Sequence, residues 1–167
     1  MPAHPTSPSA RRTLAALLYE VLLTAAVLLA IATLLTPLKA VLGASPLAEL
    51  LFRLLLAGLL FAYYGWCWVK GGQTLAMKTW RLKLVRADGA ALDWPLALRR
   101  YLIALALFVG VPALAYAGWS RSLGESAPFW LALVWLPLPF IARGIDPEKR
   151  SLHDRLAGTR VLWLGKK

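Results

Sequence analysis

The first feature of this sequence that could do chemistry is an acid inside an apolar run. Glu20 lies about seven residues into the hydrophobic stretch that begins near Thr13, so a helix there would place its carboxyl ~10 Å from one end. A carboxyl group at that depth is costly, which makes it a candidate carrier of protons or ions. It could instead lock two helices together, satisfied by a neighbouring hydroxyl. Tyr63 and Tyr64 sit at the same depth counting back from Val69, and either phenol could donate to Glu20. Thr24, one turn along the same helix, is another partner for it.

Two further groups stand out. Arg53 falls inside the second apolar run, with Glu49 one turn before it on the same helical face; this spacing suits an ion pair, with the guanidinium reaching outward. The segment SLHDRLAGT at 151–159 holds His153, Asp154 and Arg155. Ser151 can cap a short helix that Gly158 ends, which puts Asp154 in the first turn where an acid suits the helix dipole. One His beside one Asp lacks the ligand number that zinc requires. No nucleophile elbow, phosphate loop, paired-carboxylate motif or Cys/His cluster occurs. The expectation is therefore a non-enzymatic protein with no catalytic residues, no cofactor and no metal. Cys67, the single cysteine, reads as a small apolar residue between two tryptophans.

The elements that must position these residues are membrane helices. A chain of 167 residues with 59% hydrophobic content, eight Trp and a mean hydropathy of +0.61 is too apolar for a soluble domain. The expected fold class is all-α and integral to the membrane: four transmembrane helices in two hairpins, at about 13–35, 47–69, 101–118 and 128–142, around a loop at 70–100. The first should stop before Pro37 and Pro112 should kink the third. A Pro- and Ser-rich tail at 1–10 should be mobile, 11–163 should form one membrane domain, and 164–167 a short C-terminal tail. The net charge of +11 flanks the apolar runs, so it points to membrane orientation and anionic headgroups and not to nucleic acid. Sixteen of the nineteen Lys and Arg fall at Arg11 and Arg12 before the first span, in the 70–100 loop, and from Arg143 to the C-terminus. Both termini and that loop should then be cytoplasmic.

The loop has its own order. Gly71-Gly72 should turn the chain out of the second span, Thr74 to Trp80 should form a short interfacial helix, and LKLVRADG reads as a strand ending in a turn. TRVLWLG near the C-terminus has the same character. The two are expected to pair antiparallel as a small platform under the helices, since each alone would leave an open edge. Asp93 should cap a helix that leads through Pro95 into the third span.

Three stretches, RRTLAALLYE at 11–20, GGQTLAMKTWRLKLVRADG at 71–89 and LHDRLAGTRVL at 152–162, together resemble the RDD family of bacterial membrane proteins. That family is named for an arginine at the start of the first helix, an acid within that helix, and a second aspartate near the end. The resemblance places the second aspartate at Asp154 and the first acid at Glu20, a Glu where the family has Asp. The arginine's spacing falls on Thr13, with Arg12 one residue earlier and able to snorkel in its place. The resemblance implies a multi-pass protein of the bacterial inner membrane, for which transport has been proposed and no molecular function is settled.

Two functions follow as expectations. In the first, the protein is a small ion or proton-coupled transporter, free of any cofactor, that uses Glu20 and works as a homo-oligomer. In the second, it is a scaffold or accessory protein whose cytoplasmic platform binds a partner protein or anionic lipid. The candidate residues are Arg12, Glu20, Arg53 and Asp154, supported by Tyr63, Tyr64, His153 and Arg155.

Overall fold

The computed structural model describes residues 7–43, 45–123, 130–131, 134–135 and 138–165. Two long helices open it, α1 (Ala10–Leu42) and α2 (Pro46–Gly71). A short α3 (Leu75–Thr79) and strand β1 (Leu82–Arg86) follow. Then α4 (Trp94–Leu105) runs through a π-helical turn at Ala106–Gly110 into α5 (Val111–Leu123). After a short α6 (Leu138–Ile141) come α7 (Leu152–Ala157) and strand β2 (Thr159–Trp163).

Three helical stretches are long and apolar enough to cross a bilayer: Ala10–Leu42, Pro46–Thr79 and Trp94–Trp119. Their side chains face outward, with Leu34 79% and Val41 85% exposed. Apolar surface on that scale belongs against lipid. Of the fourth span expected at 128–142, residues 128–129, 132–133 and 136–137 lie outside the described residues, as do the first six residues of the N-terminal tail and the last two of the C-terminal one. Three spans are thus described where the sequence suggested four. The near part of the N-terminal tail is held in place, for Pro8 is buried and its carbonyl accepts from Arg143 Nη2 at 2.6 Å.

The first helix does not stop before Pro37 but continues to Leu42. Proline removes only one ladder bond, the one to the Thr33 carbonyl, and a membrane helix tolerates such a loss. Thr33 and Thr36 donate to the carbonyls of Leu29 and Ala32 at 2.8 and 2.9 Å. The far end is tied to the next helix by Lys39 Nζ, 2.9 Å from Glu49 Oε2 and over the Phe52 ring. In the third span the irregularity falls just before Pro112, as the π-helical turn. The Leu107 carbonyl in that turn accepts from Trp135 Nε1 at 2.8 Å, and such turns gather at functional positions.

The platform forms as the alternation of its residues requires. β1 and β2 pair antiparallel, Leu82 with Trp163 through Arg86 with Thr159. Thr74 caps α3 by accepting from Met77 N at 3.2 Å, and Asp93 caps α4 by accepting from Leu96 N at 2.9 Å. The core joins the platform to the helices: Trp68, Leu84, Leu92, Ala97 and Tyr101 are buried together, flanked by Phe61, Tyr64 and Val161. Tyr101 donates to the Ala57 carbonyl at 2.8 Å, pinning α4 to α2.

Candidate functional site: a cavity shared by Glu20 and Asp154

Glu20 sits where α1 packs on α2 and α3. Its Oε2 accepts from the Thr74 hydroxyl at 2.6 Å. The cap of α3 is thus the direct donor, and the Tyr64 phenol lies close enough to interact with the same carboxyl group. Tyr64 pairs with the Thr24 hydroxyl, which also donates to the Glu20 carbonyl at 2.7 Å. Tyr63 packs edge-on against Tyr64, with ring centroids 5.1 Å apart. Four hydroxyl-bearing side chains from α1, α2 and the turn into α3 thus gather around one carboxyl group.

Asp154 sits at the other side of the same space. Its carboxylate receives Arg100 Nη1 and the Ser151 hydroxyl, and the Ser151 N–H lies 3.4 Å from Oδ2. The same Arg100 nitrogen reaches Thr159 Oγ1. Arg100 and Asp154 are both buried, 4% and 5% exposed. Burial alone would raise the Asp154 pKa, but the Arg100 guanidinium and the Ser151 hydroxyl outweigh it and hold the carboxyl well below its ordinary range. α7 supplies Asp154 and α4 supplies Arg100, so this pair clamps the platform to the third span.

His153 lies beside the clamp, packed edge-on against Phe108 and Phe140 at 5.7 and 5.4 Å. Burial pushes its pKa down to about 4 from 6.5. The unfolded chain then binds more protons than the folded one between those values, so stability is complete above pH 6.5 and falls as pH drops through that window. The slope should be on the order of 1 kcal/mol per pH unit. Thermal unfolding in detergent from pH 7 to pH 4.5 should show it, and His153→Phe, which keeps an aromatic ring against Phe108 and Phe140, should flatten it. An equal slope in the variant would assign the effect to other groups.

Between these clusters lies a cavity of about 300 Å³, lined by Glu20, Tyr64, Trp68, Thr74, Arg100 and Asp154 among others. Apolar residues of all three spans, such as Leu17, Leu60 and Phe108, complete its wall. Its volume lies at the lower end of small-ligand sites. Among the described residues no three His, Cys, Asp or Glu side chains converge to hold a metal ion.

The remaining candidates lie elsewhere. Arg12 stacks on the Trp163 ring, 4.2 Å from its centroid, and so joins α1 to β2 without reaching Glu20. Arg53 is exposed and bonds Glu49 Oε1 at 3.1 Å, part of the Lys39 link far from the cavity. Arg155 approaches Asp146 Oδ1 at 3.6 Å on the platform surface. Sequence reasoning missed Arg100, Thr74 and Trp68 as site residues. Arg100 had a signal, since it is a basic residue about two turns inside the Asp93-capped helix, where a buried acid would partner it.

The sequence profile of the RDD family matches residues 6–158, nearly the whole chain. No curated protein and no solved structure gives a significant match.

Proposed function

Since the chain belongs to the RDD family of membrane proteins, we propose that it is a multi-pass transporter that moves an ion in exchange for protons, with Glu20 as the exchanging group. One observation supports this most. Glu20, an acid at membrane depth, lines a cavity large enough for a hydrated ion and shares it with the Arg100–Asp154 clamp. An acid kept there only to hold helices together would need no such space beside it. In this reading residues 128–142 complete a fourth span, both termini and the platform face the cytoplasm of a bacterial inner membrane, and the working form is a homo-oligomer. No enzymatic step is involved.

The test is a pH gradient imposed across vesicles containing the purified protein. With Na⁺, K⁺, Li⁺ and an organic ammonium each added in turn, at least one should collapse the gradient with the wild type, at a rate at least about tenfold above that of Glu20→Gln. Equal rates in the two proteins would remove Glu20 from the path.

The second reading is a scaffold. It draws on apolar side chains exposed on the platform, Leu75, Leu156 and Leu164 at 52%, 48% and 49%, set among basic residues. It expects a protein that co-purifies with the chain and is lost when Leu156 is changed to Asp. Repeated purification of the chain alone would count against it.

A further inference from the structure

Glu20 lines the cavity and has no salt bridge among the described residues, with Arg100 acting on it only at a distance. Arg100 is committed to Asp154 and Thr159, and Arg143 turns its terminal nitrogens to Thr13 Oγ1 at 2.8 Å and the Pro8 carbonyl at 2.6 Å. Glu20 Oε2 has the Thr74 hydroxyl, while Oε1 has no hydrogen-bond donor. With Glu20 ionised, the four charged side chains on the cavity balance two against two. A bound ammonium ion then gives the cavity the same charge as a proton on Glu20. In charge alone, a proton on Glu20 and a bound ammonium are therefore interchangeable.

The unpartnered groups around the cavity are of both kinds. Trp68 Nε1 and Arg100 Nε are buried donors with no acceptor. His153 Nδ1 is the second orphan acceptor, by a proton count. The Ser151 hydroxyl hydrogen goes to the Asp154 carboxylate, so the 3.3 Å contact between Ser151 Oγ and His153 Nε2 requires the hydrogen on Nε2. Nδ1 is then an unprotonated acceptor, and it has no partner. Trp68, Arg100 and His153 are 7%, 4% and 9% exposed. Buried polar atoms are normally satisfied, so four orphans on side chains that line one cavity point to an occupant carrying both donors and acceptors, reached by a small turn of those side chains. They are contiguous: Tyr64 pairs with Thr24 one turn from Glu20, Trp68 packs on Tyr64 at 5.2 Å, and Arg100 lies over Trp68 at 5.3 Å.

We propose that the cavity binds a small amphipathic amine bearing an oxygen acceptor a few atoms from its nitrogen. The ammonium donates to Glu20 Oε1, the oxygen accepts from Trp68 Nε1 and Arg100 Nε, and the apolar body lies against Leu17, Leu60 and Phe108. A divalent metal is a poorer fit, because a lone carboxylate among hydroxyls supplies too few anionic ligands. This rests on Glu20 as the exchanging group, as above, and names what exchanges with the proton.

Calorimetric titration of the full-length protein in detergent micelles tests it with three probes of one shape: phenylalaninol, phenethylamine and 3-phenyl-1-propanol. Phenylalaninol should bind saturably, once per chain, phenethylamine several-fold more weakly, and the alcohol not at all. Glu20→Gln should weaken phenylalaninol on the order of tenfold or more. Trp68→Phe keeps the ring and removes the N–H, so it should bring phenylalaninol down toward phenethylamine. Failure of both amines to bind, equal binding of the alcohol, or undiminished binding in Glu20→Gln would overturn the proposal. Displacement of phenylalaninol by Na⁺ or Li⁺ at equal concentration would also overturn it, by assigning the site to an alkali cation. Should Glu20→Gln fail to fold, the probe series on the wild type and the Trp68→Phe comparison still decide. Binding at equilibrium needs no transport, so intact binding without flux would sink the transporter reading alone.

Discussion

Arg100→Met should destabilise the protein by about 3–5 kcal/mol, the largest effect expected of any single substitution here. The change leaves the Asp154 carboxylate buried with no cation on it, holding the Ser151 hydroxyl and long contacts to the Ser151 N–H and the Thr159 hydroxyl, and strips Thr159 of its charged partner. A buried charge that loses its partner keeps its full desolvation cost. Asp154→Leu should cost a similar amount, by leaving the guanidinium unpaired. The double variant removes both charges and should recover much of the loss, because an apolar pair of similar volume can replace a buried ion pair. Thermal unfolding in detergent, run on the two single variants and the double, measures all three. If the losses simply add in the double variant, the two side chains are not coupled and the clamp between α7 and the third span has no energetic role.

Gly72→Ala comes next. Gly72 has φ of +67°, where side chains other than glycine's are strained. A Cβ there would lie 2.7 Å from the Leu84 carbonyl oxygen, a backbone atom that cannot swing away. The Leu84 N–H also donates to the Gly72 carbonyl at 2.7 Å, so any adjustment opens the seam that joins α2 to β1. Backbone strain alone should cost about 1–3 kcal/mol, with the steric clash added to it. Gly71 is the control: it ends α2, is exposed, and a Cβ on it meets nothing within 4 Å. Gly71→Ala should leave the unfolding temperature nearly unchanged while Gly72→Ala lowers it by several degrees. Similar shifts from both would mean that turn flexibility, and not the contact with Leu84, sets the preference for glycine.

Local patterns made much of this legible before any coordinates. Apolar length marked the first two spans, alternation marked both strands and their pairing, and Asp93 before Trp94-Pro95 marked the start of the helix that becomes the third. Pro37 misled because a proline removes a single ladder bond, and the apolar turns on either side of it carry α1 on to Leu42, which a breaker rule leaves out. The π-helical turn at 106–110 could not be read from composition, since its residues are ordinary for a membrane helix. The site itself was half legible. Glu20 and Asp154 were singled out by type and position, but their partners were not. Thr74 reaches Glu20, and Arg100 reaches Asp154, only through the packing of elements more than fifty residues apart. Helix rotation decides such pairs, and a single sequence does not encode it in any local pattern.

The transport claim depends on a carboxyl group at position 20, and the most direct measurement compares two substitutions of it in the same vesicles. Glu20→Asp keeps an acid, of the kind the family carries there, one methylene shorter; Glu20→Gln keeps the shape and loses the charge. With an imposed pH gradient and added cation or amine, Glu20→Asp should retain a measurable part of the wild-type exchange rate, and Glu20→Gln should match empty vesicles. Exchange by Glu20→Gln at the wild-type rate would contradict the proposal and leave Glu20 as a residue that only joins α1 to α3.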